Sequence, residues 1–133
     1  MLEVGTINER SWIVTEKHLA SAFGSGLVDV LATPVLVGLC EETARAMIDP
    51  HLPAGQKTVG TAISLSHTAA TPPGMTVTIR AVLTAIDGRK LTFSVDCSDD
   101  VESIGHCEHT RFIIDSQRFE AGIADKAAKL APM

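Results

Sequence analysis

Hydrophobic and polar positions along this chain follow one helical stretch and several strand-like ones. Residues 8 to 15 (Asn-Glu-Arg-Ser-Trp-Ile-Val-Thr) predict a first strand. Glu16 to Phe23 predicts a short helical or irregular piece, and Gly24-Ser25-Gly26 then breaks the chain. Thr33 suits a helix N-cap and Pro34 the first helical position, and good helix formers continue until Asp49-Pro50 stops them. Val35, Leu36, Val37, Leu39, Cys40, Ala44, Met47 and Ile48 leave this helix apolar on most sides, so it is expected to be buried. After the loop His51 to Gln56 the pattern up to Asp115 is β. Lys57 to Ser66 predicts a strand, and Met75 to Ile86 another, with Val77, Ile79, Ala81 and Leu83 alternating. Asp87-Gly88 is a two-residue hairpin signal leading into Leu91 to Cys97. Ser98-Asp99-Asp100 turns the chain into a last strand, Ser103 to Ile114. The tail from Ala121 to Met133 is expected to be a short helix or frayed.

The element order is strand, one long apolar helix, then four antiparallel strands. This predicts an α+β architecture in which a five-stranded antiparallel sheet wraps one central helix, in a single domain over residues 1–133. One such sheet leaves part of its edge and part of the helix uncovered, and pairing of two copies into a dimer is the natural remedy.

Composition narrows the picture. Hydrophobic residues make up 45% of the 133 and charged residues 20%, which is globular composition, and no apolar run approaches the ~18 residues of a membrane span. The N-terminus, Met1-Leu2-Glu3-Val4-Gly5, lacks a basic region followed by a long apolar segment, so a cytoplasmic location is expected. A net charge of −5 without a basic stripe argues against nucleic acid as a partner. Arg89-Lys90 is taken as a solvated turn without a role. Cys40, Cys97 and Cys107 form neither an even set nor a CxxC pair, and are expected to be reduced and packed in the core. Alternation along the last strand places Cys107, His109 and Arg111 on one face and His106 on the other, so no metal site is expected there.

Two residues stand out as candidates for chemistry. His67 ends the second strand among the hydroxyls of Thr61, Ser64, Ser66, Thr68 and Thr71, ahead of the rigid Pro72-Pro73 turn. That setting suits either a structural histidine or an imidazole oriented to move a proton. Glu41 lies at the middle of the apolar helix, where it is either an exposed partner of Arg45 four residues on, or a confined carboxylate able to act as nucleophile or base.

Ala32-Thr33, Val37-Gly38-Leu39-Cys40-Glu41, Gly60-Thr61-Ala62-Ile63, the block His67-Thr68-Ala69-Ala70-Thr71-Pro72-Pro73-Gly74, and Ile104-Gly105 with His109-Thr110-Arg111 together resemble the fluoroacetyl-CoA thioesterase family of hot-dog-fold acyl-CoA thioesterases. The resemblance runs from the first strand to about Phe119, and the His67 to Gly74 block is its most specific part. It implies a hot-dog fold, a homodimer with a continuous sheet, and hydrolysis of an acyl-CoA thioester, with coenzyme A present only as part of the substrate and no separate cofactor. It also implies a catalytic set of Thr33, Glu41 and His67, spaced by eight and 26 residues. Gly60 falls near the acyl end of the substrate, and Leu27, Val28 and Arg111 are assigned to substrate binding. Members selective for fluoroacetyl-CoA cover the pocket with phenylalanines on the loop before the helix. Here that loop, Gly24 to Leu31, has none and Phe23 stands only at its start, which implies a short-chain or otherwise small acyl group instead. A non-catalytic acyl-CoA-binding domain and an enoyl-CoA hydratase or dehydratase of the same fold stay open as alternatives.

One geometric constraint accompanies this set. On a single straight helix, eight residues at ~1.5 Å rise would hold Thr33 and Glu41 ~12 Å apart. Either Thr33 belongs to the preceding loop and bends back, or it meets the glutamate of the other subunit.

Overall fold

The computed structural model describes residues 2–130. Its elements are β1 (Ile7–Ile13), α1 (Ala20–Phe23), α2 (Thr33–Ile48), β2 (Gln56–His67), β3 (Thr76–Asp87), β4 (Lys90–Ser98), β5 (Ser103–Asp115) and α3 (Ser116–Ala127). The five strands form one antiparallel sheet in the order β1-β3-β4-β5-β2, with α2 packed across its inner face. This is the expected α+β arrangement of a five-stranded sheet around one long helix.

The core follows from the alternation. Val77, Ile79, Ala81 and Leu83 of β3, Leu91, Phe93, Val95 and Cys97 of β4, and Ile104 and Cys107 of β5 are all buried. They meet Leu36, Cys40, Ala44, Met47 and Ile48 of α2, and each large side chain so buried contributes roughly 1.5–3 kcal/mol of transfer free energy. The three cysteines are free and buried, with Cys40 Sγ 3.5 Å from Cys97 Sγ.

Several local expectations are corrected. The N-cap of α2 is Ala32, in extended conformation and without a side-chain cap, so Thr33 is the first helical residue and its hydroxyl is not spent on capping. The hairpin residues are Gly88-Arg89 rather than Asp87-Gly88, because Asp87 still pairs with Lys90. Gly88 has φ +60°, the left-handed value that a two-residue hairpin turn requires at its first position. The last helix begins at Ser116, ahead of the expected 121, because the Asp115 side chain accepts a hydrogen bond from the Arg118 N–H and caps it. It ends at Ala127, and 131–133 lie outside the described residues.

Burial of α2 is one-sided. Pro34, Gly38 and Arg45 are exposed, and Val37 and Glu41 half-buried, a stripe at three- and four-residue spacing that the sheet does not reach. Beside that stripe β2 forms one of the two edges of the sheet, β1 being the other, with Thr61, Ala62, Ser64 and Ser66 exposed. Among the described residues no helix is long and apolar enough to cross a membrane.

Candidate active site

His67 is the last residue of β2, held there by pairing with Gly105 of β5. Gly105 has room for nothing larger, since a Cβ on it would stand 2.6 Å from the Ser66 carbonyl oxygen. Thr33, at the first turn of α2, places its Oγ1 2.7 Å from His67 Nδ1. The other ring nitrogen, Nε2, is buried and has no hydrogen-bond partner among the described residues. Burial holds the imidazole below its ordinary pKa, with the Ala69 backbone acting the other way. The ring therefore presents a neutral nitrogen able to take up a proton and pass it on. Val30, Leu31, Thr68, Ala69 and Ala70 line a cavity of about 300 Å³ around this pair.

Glu41 lies two turns along α2 and belongs to a second group. Its nearest cation is not Arg45, which pairs with Asp49, but Arg111 of β5, whose Nη1 lies 3.8 Å from Glu41 Oε2. Arg111 is 5% exposed. Its Nε donates to Thr58 Oγ1 at 2.9 Å and its Nη2 to the Thr58 carbonyl at 3.2 Å. His109, 1% exposed, places Nε2 3.2 Å from Arg111 Nη1 and Nδ1 2.7 Å from the Ala62 carbonyl. Gly60 is the floor of this group: a Cβ there would stand 2.8 Å from Glu41 Oε2 and 3.3 Å from both Arg111 Nη1 and His109 Cε1. The strand is irregular at this point, its register with β5 shifting between Gly60 and Ala62.

The sequence-derived residues thus divide into two clusters. Thr33 joins His67, while Glu41 joins Gly60 and Arg111. Thr33 and Glu41 both lie in one regular helix, which removes the possibility that Thr33 sits in the loop and bends back to the carboxylate. Gly60 and His67 are seven residues apart on one strand, ~23 Å at the usual strand rise. Leu27 and Val28 are exposed, Leu27 to 97%, and do not line the His67 cavity; Val30 and Leu31 of the same loop do. His109 and Thr58 were missed as site residues. Alternation had already put His109 on the Arg111 face, and Thr58 is read only from the β2–β5 register.

Residues 14–117 match the model of the fluoroacetyl-CoA-specific thioesterase family, FlK. The fluoroacetyl-CoA thioesterase of Streptantibioticus cattleyicolor is 42% identical over 98 residues, 74% of this chain and 70% of that protein. A solved structure of the fluoroacetyl-CoA thioesterase FlK superposes with a TM-score of 0.89 at 33% identity, covering 99% of each chain. A hot-dog-like protein from Thermanaerovibrio acidaminovorans superposes with a TM-score of 0.87 at 17% identity, covering 98% of this chain and 94% of that one, which is a likeness of fold.

Proposed function

The chain belongs to the fluoroacetyl-CoA-specific thioesterase family, and from that premise we propose that it is an acyl-CoA thioesterase whose active site is completed between two copies of the chain. The observation that carries this reading is the split of the polar residues along β2. Thr33 and His67 stand at one end of the open edge strand, and Glu41, Gly60 and Arg111 at the other. Antiparallel pairing of two β2 edges about an axis between Ile63 and Ser64 would bring His67 of one copy opposite Gly60 of the second. Such pairing would also cover the exposed stripe of α2. Each dimer would then hold two sites, each with one copy's Glu41 and the other's His67.

In such a site Glu41 acts on the thioester carbonyl. It attacks the carbon to give a mixed anhydride that water resolves, or it takes a proton from the water that attacks. By either route the C–S bond breaks, the acid remains, and the proton released by the attacking water, taken up by Glu41 or by the neutral His67 Nε2, ends on the departing thiolate. Thr33 holds the ring through Nδ1. Arg111 supplies positive charge beside the carboxylate and the acyl end, and Gly60 leaves space for both. The scheme uses no metal and no cofactor; coenzyme A enters as part of the substrate.

The acyl group we assign is small or short-chain and not restricted to fluoroacetyl. The loop before α2 lacks aromatic side chains, and Phe23, at its start, is exposed. Val30 and Leu31 are the apolar side chains with which this loop lines the His67 cavity, while Leu27 and Val28 stand exposed outside it. Acyl-CoA thioesters are intracellular metabolites, and the cytoplasm is the compartment this reading implies. The test is release of free thiol from a panel of acyl-CoAs of increasing chain length, starting with acetyl-CoA. Turnover favouring the short members, abolished by Glu41→Ala in folded protein, is expected; no thiol release from any member would leave a binding domain, and conversion of an enoyl-CoA without thiol release would indicate a hydratase.

A further inference from the structure

Neither His109 nor Thr58 does chemistry in the scheme above, yet both are spent on Arg111. We propose that His109 is a positioning residue: as a neutral Nδ1–H tautomer it locks the Arg111 guanidinium beside the Glu41 carboxylate and fastens that group to the irregular step of β2 after Gly60. The lock is independent of any reaction, and only its effect on turnover rests on the thioesterase reading.

The hydrogen-bond chemistry permits one arrangement. A carbonyl oxygen only accepts, so the nitrogen 2.7 Å from the Ala62 carbonyl, Nδ1, carries the proton. A guanidinium only donates and stays charged, so Nε2, 3.2 Å from Arg111 Nη1, must be the lone-pair nitrogen. Protonating this ring would set one N–H against another. The ring has little freedom to escape, since it is buried and stacked on Phe93 of β4 with centroids 6.0 Å apart and planes at 29°. Its surroundings favour the same state: burial, the largest cause, lowers its pKa, and the Arg111 charge adds to that, against the Ala62 carbonyl and the Glu41 carboxylate. The other charges near the guanidinium, Arg45 of α2 and Asp49 just past its end, are paired with each other.

A mobile arginine facing a carboxylate whose side chain is 42% exposed would add little, because exposed ion pairs are worth ~0–1 kcal/mol. A guanidinium fixed beforehand is different. Thr58 holds Nε and Nη2 and His109 holds Nη1, so the charge facing Glu41 needs no ordering when substrate arrives. The Nδ1–H bond to Ala62 falls on the residue where the β2–β5 register resumes after Gly60, so the same ring ties the buried face of β5 to the strand segment that leaves Glu41 its space.

The direct test is 15N NMR of the histidine side chains in the wild-type protein. His109 is expected as the neutral Nδ1–H form throughout about pH 5 to 8, the range in which an ordinary histidine titrates. An Nε2–H form, or titration like a free histidine, overturns the proposal. The second arm is kinetic. His109→Gln keeps one donor and one acceptor, whereas His109→Leu keeps the bulk alone. Leu is expected to lower kcat by ~10–100-fold, the scale of a small misplacement of catalytic groups, with KM little changed, and Gln to recover most of the loss. Equal activities for Gln and Leu overturn it. If the wild-type chain hydrolyses no acyl-CoA, the thioesterase reading fails while the NMR result still decides the lock.

Discussion

Thr33 Oγ1 and His67 Nδ1 are 2.7 Å apart although 34 positions separate the two residues. The bond joins the first turn of α2 to the last residue of β2, and the opposite ring nitrogen is buried with no partner among the described residues. Because Ala32 and not Thr33 occupies the N-cap, the hydroxyl has no capping duty. Thr33→Val is therefore expected to lower kcat by ~10–100-fold through misorientation of the ring. It should spare the ~1 kcal/mol that loss of a true cap would cost. Thr33→Ser should keep most activity. Steady-state kinetics beside thermal melts of the three proteins check this, and a large drop in stability with unchanged kcat would return Thr33 to a structural role.

Gly60→Ala tests whether the glycine exists to make room for the carboxylate. Replacing glycine in a strand by alanine ordinarily stabilises by roughly 0.5–1 kcal/mol. Here the added Cβ would meet Glu41 Oε2 at 2.8 Å, and the carboxylate is the flexible neighbour that must move. The expected outcome is a protein of near wild-type melting temperature whose kcat falls ~10–100-fold. Unchanged kcat would show that the position of the carboxylate does not matter to turnover.

His106 gives stability a pH dependence of its own. On the outer face of the sheet its Nδ1 and Nε2 lie 2.8 Å from Asp96 and 3.0 Å from Glu108, and hydrogen bonding to these two raises its pKa from 6.5 to about 8. The folded pKa lies above the unfolded one, so the contribution is fully present below about 6.5 and disappears as pH rises through about 8. With the side chain 46% exposed, the effect should stay under ~1 kcal/mol. Melting temperatures at either end of that window should differ more for wild type than for His106→Gln; parallel curves would remove His106 as the cause.

Much of the sheet was legible because period-two alternation states which face is buried. Val77 to Leu83 on β3, and Cys107, His109 and Arg111 on β5, lie inward as the pattern requires. Strand order was not legible, since nothing local in Lys57 to Ser66 says that this segment leaves its sequence neighbour and closes the sheet against β5. The helix was legible in part: its apolar sequence and the single sheet implied burial with some of the helix left uncovered, but only the fold shows that the uncovered side is the Pro34 to Arg45 stripe. Thr33 was misread as a cap because threonine before proline is a strong local signal, and its partner His67 is reached only through the fold. His109 was weighed only as a metal ligand, because alternation gives its face but not its partners, and its two nitrogens are seen between a carbonyl and a guanidinium only in the fold.

If Glu41 of one copy works with His67 of another, subunit complementation must reveal it. Glu41→Gln and His67→Ala homodimers should each be inactive. Random mixing of the two chains should restore about a quarter of wild-type thioesterase activity, because half the dimers are mixed and each of those holds one intact site. Mixed dimers that form but hydrolyse no acyl-CoA would contradict a site shared between copies.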